Sequence, residues 1–260
     1  MSGGEGLGNT PPSSPFSGDP SVPSTFILPS LPAPMAISAA LALVLSYLLG
    51  SVPSAIWLGK GLRGVDVRQH GSGNAGATNV FRVLGWEMGL LVFLADAFKG
   101  WLAAGPVASW GMAGGLPFAA SDPHSTEAIW RFACGLMAVL GHLYPVFAGF
   151  KGGKGVATMA GLLVAITPVA LAVAVTGFVV VFLATRYVAL GSLAAGVLYP
   201  LSLFVQRFAL GQPVPNGVLV FGVLFGTILF YTHRTNIARL RAGIESKIDF
   251  RATPVVGKDP

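Results

Sequence analysis

The stretch VATMAGLLVAITPVALAVAVTGFVVVFLAT, residues 156–185, decides the fold of this chain, because none of its thirty residues is charged. A single helix of that length would be about 45 Å long at ~1.5 Å per residue, whereas the hydrocarbon core of a bilayer is only ~30 Å thick. Pro168 lies near the middle of the stretch. The sequence therefore predicts either one tilted, kinked helix or two short helices that meet at Thr167 and Pro168.

The rest of the chain is similarly apolar. Of its 260 residues, 53% are hydrophobic and 10% are charged, and the mean hydropathy is +0.71. Such values exceed those of soluble domains. Four further blocks contain no Asp, Glu, Lys or Arg: residues 35–58, 132–150, 187–206 and 217–231. These blocks are apolar on every side rather than at alternate positions, so we predict an all-α integral membrane protein and not a membrane barrel.

The distribution of basic residues distinguishes six spans from seven. If residues 156–185 form two spans, the chain crosses the membrane seven times, and 13 of its 16 basic residues lie on one side. With six spans, the basic segments at 60–82 and 234–258 would lie on opposite sides. Because basic loops stay in the cytoplasm, we predict seven transmembrane helices, an outside N-terminus and a cytoplasmic C-terminus. This topology explains the net charge of +6, and no nucleic-acid partner is expected.

The composition divides the chain into three parts. Residues 1–34 are rich in Gly, Pro and Ser and lack the apolar content to pack, so we predict a disordered extension there. Residues 35–232 are predicted to form the seven-helix membrane domain. Residues 233–260 are predicted to form a cytoplasmic segment.

The first polar stretch of interest is GSGNAGATNVFR, residues 71–82. Its glycines allow the backbone to approach an anion closely, and its hydroxyl, amide and guanidinium groups add donors. The predicted phosphate-binding residues here are Gly71, Ser72, Gly73, Asn74, Gly76, Thr78, Asn79 and Arg82.

The second stretch, KGGKGVAT, residues 151–158, follows the same logic. Its basic and glycine residues precede a predicted helix, whose N-terminus would favour a phosphate: Lys151, Gly153, Lys154 and Gly155. Two loops predict two phosphates. The alternative is that the glycines simply end a span, and neither loop has the order of a nucleotide-binding P-loop.

Two further polar stretches fall on the same predicted side, at residues 185–187 and 233–247, so we expect one site built from four loops. In the last stretch, His233 and Asn236 are three residues apart and would share a helix face. The alternative for His233 is a histidine at the membrane interface.

Asp96 and Lys99 fall inside a predicted span, also three apart. They are expected to pair and face the bundle, either as part of the site or as a neutral pair that orients the helix. His142 has no acidic or cysteine partner nearby in sequence, and no metal is assigned to it.

Five strings occur in this order: GSVPSA (50–55), GSGNAGATNVFR, GHLYPVFAGFKGGKGVAT (141–158), TRYVALGS (185–192) and HRTNIARLRAGIESK (233–247). Together they resemble the motif series of the bacterial acyl-phosphate:glycerol-3-phosphate acyltransferases, the PlsY family. The resemblance runs from about residue 38 to 247 and implies seven spans. It departs from the family pattern at Thr185, where serine is common, and in ALGS, which is less rich in serine.

The resemblance implies transfer of a fatty acyl group from acyl-phosphate to glycerol 3-phosphate, which gives lysophosphatidic acid and inorganic phosphate. It implies a catalytic set of Ser72, Arg82, His233 and Asn236. It adds Thr185, Arg186, Ser192 and Glu245 to the binding residues, with Glu245 as a support for the last segment.

We expect no cofactor and no metal, a monomer, a bacterial inner-membrane location and a site that faces the cytoplasm. No histidine is followed five residues later by aspartate, so a His/Asp base pair is not predicted. Either the donor's phosphate or His233 would accept the hydroxyl proton, with positioning and charge neutralisation dominant. The alternative function is a secondary transporter of a phosphorylated metabolite, with the interrupted helices and Asp96/Lys99 at its midplane.

Overall fold

The computed structural model describes residues 33–113 and 123–248, and all regular elements within these ranges are helical. Almost all of the predicted extension at 1–34, and the end of the chain from residue 249, lie outside the described residues. The first helix begins at Ala33, two residues before the predicted start of the membrane domain.

The described ranges contain eleven α-helices: α1 (Ala33–Gly50), α2 (Ser54–Arg63), α3 (Ala77–Leu84), α4 (Trp86–Leu102), α5 (Ala108–Met112), α6 (Pro123–Leu143), α7 (Val156–Ile166), α8 (Pro168–Thr185), α9 (Val188–Phe204), α10 (Asn216–Thr232) and α11 (Arg234–Arg241). A wide π-helical turn around Pro106 joins α4 to α5, where proline cannot donate the usual backbone hydrogen bond.

Residues 156–185 form two helices and not one. Helix α7 ends at Ile166, Thr167 leaves the helical region with a φ of −138°, and Pro168 opens α8 at its first turn. Proline suits the first turn of a helix because no N–H is needed there. With 11 residues, α7 is only about 16 Å long and cannot cross a ~30 Å hydrocarbon core by itself.

Several helices of the described ranges can cross a membrane. By length and hydropathy four qualify: Trp86–Met112, His124–Ala148, Pro168–Thr185 and Val188–Ala209. Two bent pairs, Ala36–Gly50 with Ser54–Arg63 and Asn216–Thr232 with Arg234–Arg241, raise the number to six if each pair is one span. The protein is therefore a multi-pass membrane protein, in which α7 is a shorter apolar helix that this count leaves out.

Glycines allow close backbone contact between the helices. A Cβ at Gly50 of α1 would overlap the backbone of Ala138 in α6, and one at Gly100 of α4 would overlap the backbone of Thr158 in α7. Close approach through small residues is typical of membrane helices, where packing replaces the hydrophobic effect. These contacts place the end of α1 against the second half of α6, and the second half of α4 against the start of α7.

Candidate active site

A polar cavity of about 160 Å³ lies at one end of the bundle, where α6 and α10 end and where α3, α7 and α9 begin. Three of the four predicted polar stretches line it. The stretch at residues 185–187 does not, and the start of α9 lines the cavity in its place. Twelve of the predicted site residues line it: Ser72, Asn74, Gly76, Thr78, Asn79, Arg82, Lys154, Gly155, Ser192, His233, Asn236 and Glu245.

The other predicted residues do not line the cavity: Gly71, Gly73, Lys151, Gly153, Thr185 and Arg186. The Thr185 hydroxyl donates to the Val181 carbonyl oxygen at 2.7 Å. The Arg186 carbonyl oxygen accepts from the Ile248 amide at 2.9 Å, and the Arg186 side chain is exposed. Arg186 therefore connects the α8–α9 turn to Ile248, the last described residue.

Asn79 holds the first loop in shape. Its Nδ2 donates to the carbonyl oxygens of Val67 at 2.8 Å and His70 at 3.1 Å. Its Oδ1 accepts from the Ser72 amide at 2.8 Å and the Ser72 hydroxyl at 3.1 Å. Gly71 adopts a φ of +59°, and a Cβ there would lie 2.5 Å from Oδ1 of Asn79. Glycine is therefore required at 71, and the sequence prediction of Asn79 as a substrate donor misses its structural use.

Two helix N-termini meet at the cavity. Ala77 and Thr78 at the start of α3, and Val156 and Ala157 at the start of α7, line the wall, and no side chain caps either helix. The first N–H groups of a helix lack partners within it, and with the helix dipole they attract anions. The cavity therefore has two separate places suited to a phosphate.

A chain of polar contacts joins the second loop to the last described segment. Nζ of Lys154 donates to Oδ1 of Asn236, and Nδ2 of Asn236 donates to Oε1 of Glu245 at 2.7 Å. Arg239 donates through Nε to the other oxygen of Glu245 at 2.6 Å. From the first loop, Arg82 donates to the Ser246 carbonyl oxygen at 3.0 Å. Asn236 is thus fixed from both sides, by a cation and by a carboxylate.

The charges of this cluster leave an excess of positive potential. Burial, opposed in part by the charge of Glu245, lowers the pKa of Lys154 to about 8, and Arg239 and Arg82 add to the lowering. Burial also lowers the pKa of Arg82, whose Nε is buried without a partner. Three cations share one carboxylate, so an anion that enters the cavity gains partners that the protein alone does not supply.

His233 lies between α10 and α11, beyond the spanning segment, and is buried. Its Nδ1 lies 2.9 Å from the Leu229 carbonyl oxygen, which can only accept. Nδ1 therefore carries the hydrogen, and Nε2 keeps its lone pair. Burial, together with the charge of Lys154, lowers the pKa of His233 to about 4, so the ring is neutral at pH 7 and its Nε2 is a weak base.

A cluster of three buried ionisable side chains, Asp96, Lys99 and His142, lies next to the same cavity. Nζ of Lys99 lies 2.8 Å from Oδ1 of Asp96, which confirms the predicted pair, and Nδ1 of His142 lies 3.6 Å from the same oxygen. Asp96 and His142 line the cavity. Sequence reasoning missed His142 as a site residue because it lies 46 positions from Asp96. Within the described residues no group of three or more His, Cys, Asp or Glu side chains is placed to hold a metal ion.

A second cavity of about 240 Å³, almost entirely apolar, adjoins the first between α4, α7, α8, α9 and α10. Phe93, Val156 and Phe178 line both cavities. Its far end is lined by Tyr199, whose hydroxyl lies 2.9 Å from Oγ1 of Thr167 at the α7–α8 break. The sequence carried no signal for this cavity, because its residues are ordinary apolar positions of five separate helices.

The comparisons with known proteins agree with this architecture. A sequence model of the family described as glycerol-3-phosphate acyltransferase matches residues 40–243. A glycerol-3-phosphate acyltransferase from Salinibacter ruber is 46% identical over 210 residues, which is 79% of this chain and 90% of that protein. The chain belongs to the PlsY-type glycerol-3-phosphate acyltransferases. Another member, from Chlorobaculum parvum, is 40% identical over 224 residues, which is 80% of this chain and 95% of that protein.

Solved structures of this family share the fold. The crystal structure of PlsY (YgiH), an integral membrane glycerol 3-phosphate acyltransferase, in its glycerol 3-phosphate form has a TM-score of 0.67 and 39% identity, and it covers 82% of this chain and 96% of that one. The lysophosphatidic acid form matches with the same TM-score and 38% identity. Family membership makes the chain an integral membrane acyltransferase and favours this activity over the transporter alternative.

Proposed function

We propose that the protein transfers a fatty acyl group from acyl-phosphate to glycerol 3-phosphate, which releases 1-acyl-glycerol 3-phosphate, or lysophosphatidic acid, and inorganic phosphate. One observation carries the proposal: the cationic cavity and the apolar cavity share the wall formed by Phe93, Val156 and Phe178. A donor with a phosphate head and a long apolar tail fits this arrangement, because its reacting carbonyl would lie where the two cavities meet.

Two phosphates require two binding places, and the two helix N-termini at the cavity support this part of the proposal. Ser72 and Arg82 lie at the α3 side, and Lys154 lies at the α7 side beside Asn236. The proposal assigns one phosphate to each side without ordering the two substrates. His233 and Asn236 orient the acceptor, and Glu245 holds Asn236 in place. Asn79 acts through the loop that it holds.

In the proposed reaction, a glycerol 3-phosphate hydroxyl oxygen attacks the acyl carbonyl carbon, and the bond between that carbon and the phosphate oxygen breaks. The phosphate leaves with the bonding electron pair. The hydroxyl proton passes either to the phosphate or to Nε2 of His233, which is unprotonated in the neutral ring. An acyl-phosphate is already activated, so charge neutralisation and alignment supply most of the rate enhancement.

The proposal includes the membrane arrangement. Seven crossings place the N-terminal extension outside and residues 233–260 in the cytoplasm of a bacterial inner membrane. The fourth is α7, which is shorter than the hydrocarbon core and is held inside the bundle by its contact with α4. Helices that cross in alternating directions support this reading. Asp96 of α4 lies beside His142 near the end of α6. Farther along the chain, Ala108 at the start of α5 accepts a hydrogen bond from Trp130, which lies in the first half of α6. The segment from α4 to α5 therefore runs antiparallel to α6. The acceptor would enter from the cytoplasm and the acyl tail from the bilayer.

The test is phosphate release from palmitoyl-phosphate by the purified protein in detergent, with and without glycerol 3-phosphate. We expect release that depends on the acceptor and that Ser72→Ala reduces at least 100-fold. Ser109→Ala is the matched control, because Ser109 lies in α5 and does not line the cavity. Release without acceptor dependence, or a Ser72→Ala variant as active as Ser109→Ala, would overturn the proposal.

A further inference from the structure

Three buried ionisable side chains lie beneath the two proposed phosphate-binding loops. Asp96, Lys99 and His142 are only 2%, 5% and 7% exposed. Burial of charged groups in a membrane protein is costly and is tolerated when they are paired. Lys99 neutralises Asp96 at 2.8 Å and also donates to the Val52 carbonyl oxygen at 3.0 Å. Their pairing explains why Asp96 and Lys99 are tolerated in the interior, but it does not explain why a histidine is buried at position 142.

The position of His142 supplies that reason. Its backbone carbonyl oxygen accepts from the Gly153 amide at 3.2 Å, and the Leu143 carbonyl oxygen accepts from the Gly152 amide at 3.2 Å, so the second loop is fastened to the end of α6. A Cβ added to Gly153 would overlap Nε2 of His142 and would lie 3.0 Å from the Ala75 carbonyl oxygen. The imidazole ring therefore packs directly on the second loop, close to where that loop meets the first.

Asp96 lies on one side of that ring. Nδ1 of His142 faces Oδ1 of Asp96 at 3.6 Å, while Nε2 at the opposite side of the ring lies against Gly153. A void of about 10 Å³, the space of roughly one water molecule, adjoins Lys99, His142, Ala75 and Gly153. The His142 ring thus lies between the Asp96 carboxylate on one side and, on the other, the contact between the second loop at Gly153 and the first loop at Ala75.

We propose that His142, oriented by Asp96, is a positioning residue that sets the spacing between the two phosphate-binding loops. The inference rests on the proposed function, in which each loop holds one phosphate. If the spacing changes, each loop still binds its own substrate, but the attacking hydroxyl and the acyl carbonyl no longer meet correctly. Misplacement by ~1 Å can cost about 100-fold in rate.

Steady-state kinetics with each substrate varied in turn test this role in His142→Ala. We expect kcat to fall about 10- to 100-fold while both KM values change less than about 3-fold. His142→Gln, which keeps a polar side chain of similar reach, should recover part of kcat. Cys134→Ala is the matched control, because Cys134 is also buried in α6 but does not line the cavity, and its kcat should equal that of the wild type.

Coupling to Asp96 provides a second criterion. Because Asp96 is proposed to act through His142, the double variant Asp96→Asn, His142→Ala should lose no more kcat than the worse single variant, within about 3-fold. Multiplicative losses, or a rise in KM without a fall in kcat, would overturn the positioning role. If His142→Ala does not fold, the same comparison applies to His142→Gln, alone and with Asp96→Asn.

Hydrogen–deuterium exchange provides a readout that does not depend on activity. In His142→Ala or His142→Gln we expect faster exchange in peptides that cover residues 71–79 and 151–157, and unchanged exchange in α9 and α10. If the wild type does not use acyl-phosphate but both loops exchange faster in the variant, the proposed reaction fails and the loop-spacing role stands. If the wild type is active and neither loop responds, the inference fails alone.

Discussion

At the scale of single residues, Asn79 shows how one amide shapes the site. Both of its hydrogens are used by the Val67 and His70 carbonyl oxygens, and its oxygen accepts from Ser72 twice. Asn79 is 1% exposed, so these partners would lose hydrogen bonds without access to water if the amide were removed. A buried polar group left without its partner costs about 1–3 kcal/mol.

Asn79→Ala should therefore lower both stability and activity. We expect a free energy of unfolding lower by about 1–3 kcal/mol, seen as a lower thermal midpoint in detergent, and kcat/KM reduced more than about 10-fold because Ser72 is no longer held. Asn79→Asp keeps the acceptor for Ser72 but places a carboxylate oxygen against the Val67 and His70 carbonyl oxygens, so its thermal midpoint should also fall. Because Ser72 is still held, it should retain more activity than Asn79→Ala. Ser72→Ala should lose activity with its thermal midpoint unchanged; equal midpoints for all three variants would contradict this account.

The pKa of Lys154 leads to a prediction about pH. Its value of about 8 means that the cation, the proton-bound form, is present below pH 8 and is lost as the pH rises through 8. A phosphate monoester, with its second pKa near ~6, is already fully ionised there. We expect kcat/KM, which reports the free enzyme, to fall by up to about tenfold per pH unit above 8.

Lys154→Arg separates this effect from others. A guanidinium stays protonated across this range, so the variant should have a lower maximum and a flat alkaline limb. Lys151→Arg is the matched control in the same loop, because Lys151 is exposed and lies outside the cavity. The profile of that control should match the wild type. An unchanged alkaline limb in Lys154→Arg would show that another group titrates.

Sequence reasoning works unevenly for side chains. Asp96 and Lys99 could be paired from their spacing alone, because residues three apart share a helix face. His142 could not be added, since its contact with Asp96 depends on how α6 packs against α4. Likewise, the sequence of the first loop predicted a role for Asn79 in binding. The structure shows that both of its amide hydrogens are donated to the Val67 and His70 carbonyl oxygens.

At the scale of helices, glycine positions decide which pairs pack closely. Gly100 lies against the backbone of Thr158, so α4 and α7 approach without side chains between them. Helix α7 is too short to span the membrane unaided, and this contact holds it inside the bundle. The apolar stretch alone left two options at Thr167, and the distribution of basic residues predicted two helices there, but no sequence pattern could predict this contact.

Gly100→Ala should destabilise the protein by about 1–3 kcal/mol, because a Cβ has no room against a backbone that cannot rotate away. Gly61→Ala in α2 is the matched control: no heavy atom lies within 4 Å of its added Cβ, and alanine favours helix by about 0.5–1 kcal/mol. Thermal midpoints in detergent should fall for the first variant and hold or rise for the second. A reversed order would mean that α4 and α7 separate readily.

At the scale of the whole molecule, the proposed topology can be tested by labelling. In a Cys134→Ala background, single cysteines at Gln212, between α9 and α10, and at Ala242, after α11, occupy exposed positions. A membrane-impermeant maleimide should label Gln212→Cys in intact cells and Ala242→Cys only after the membrane is opened. Labelling of both positions from one side would contradict an odd number of crossings between them.

The sequence predicted the overall architecture of the helix bundle better than the cavities inside it. Apolar blocks and basic loops indicated a helical membrane protein with its polar motifs at one end, because spans alternate in direction and collect alternate loops on one side. The apolar cavity was not predictable, since Phe93, Val156 and Phe178 come from three helices whose packing no local pattern encodes.

The shared wall of the two cavities has a consequence for how rates depend on concentration. A donor whose tail enters from the bilayer is presented to the enzyme as a mole fraction of the surrounding lipid, while glycerol 3-phosphate is presented as a bulk concentration. Under the proposed reaction, adding inert detergent or lipid at a fixed amount of donor should slow turnover by surface dilution. Increasing the volume of buffer at a fixed glycerol 3-phosphate concentration should leave turnover unchanged, because the mole fraction of donor in the lipid stays the same.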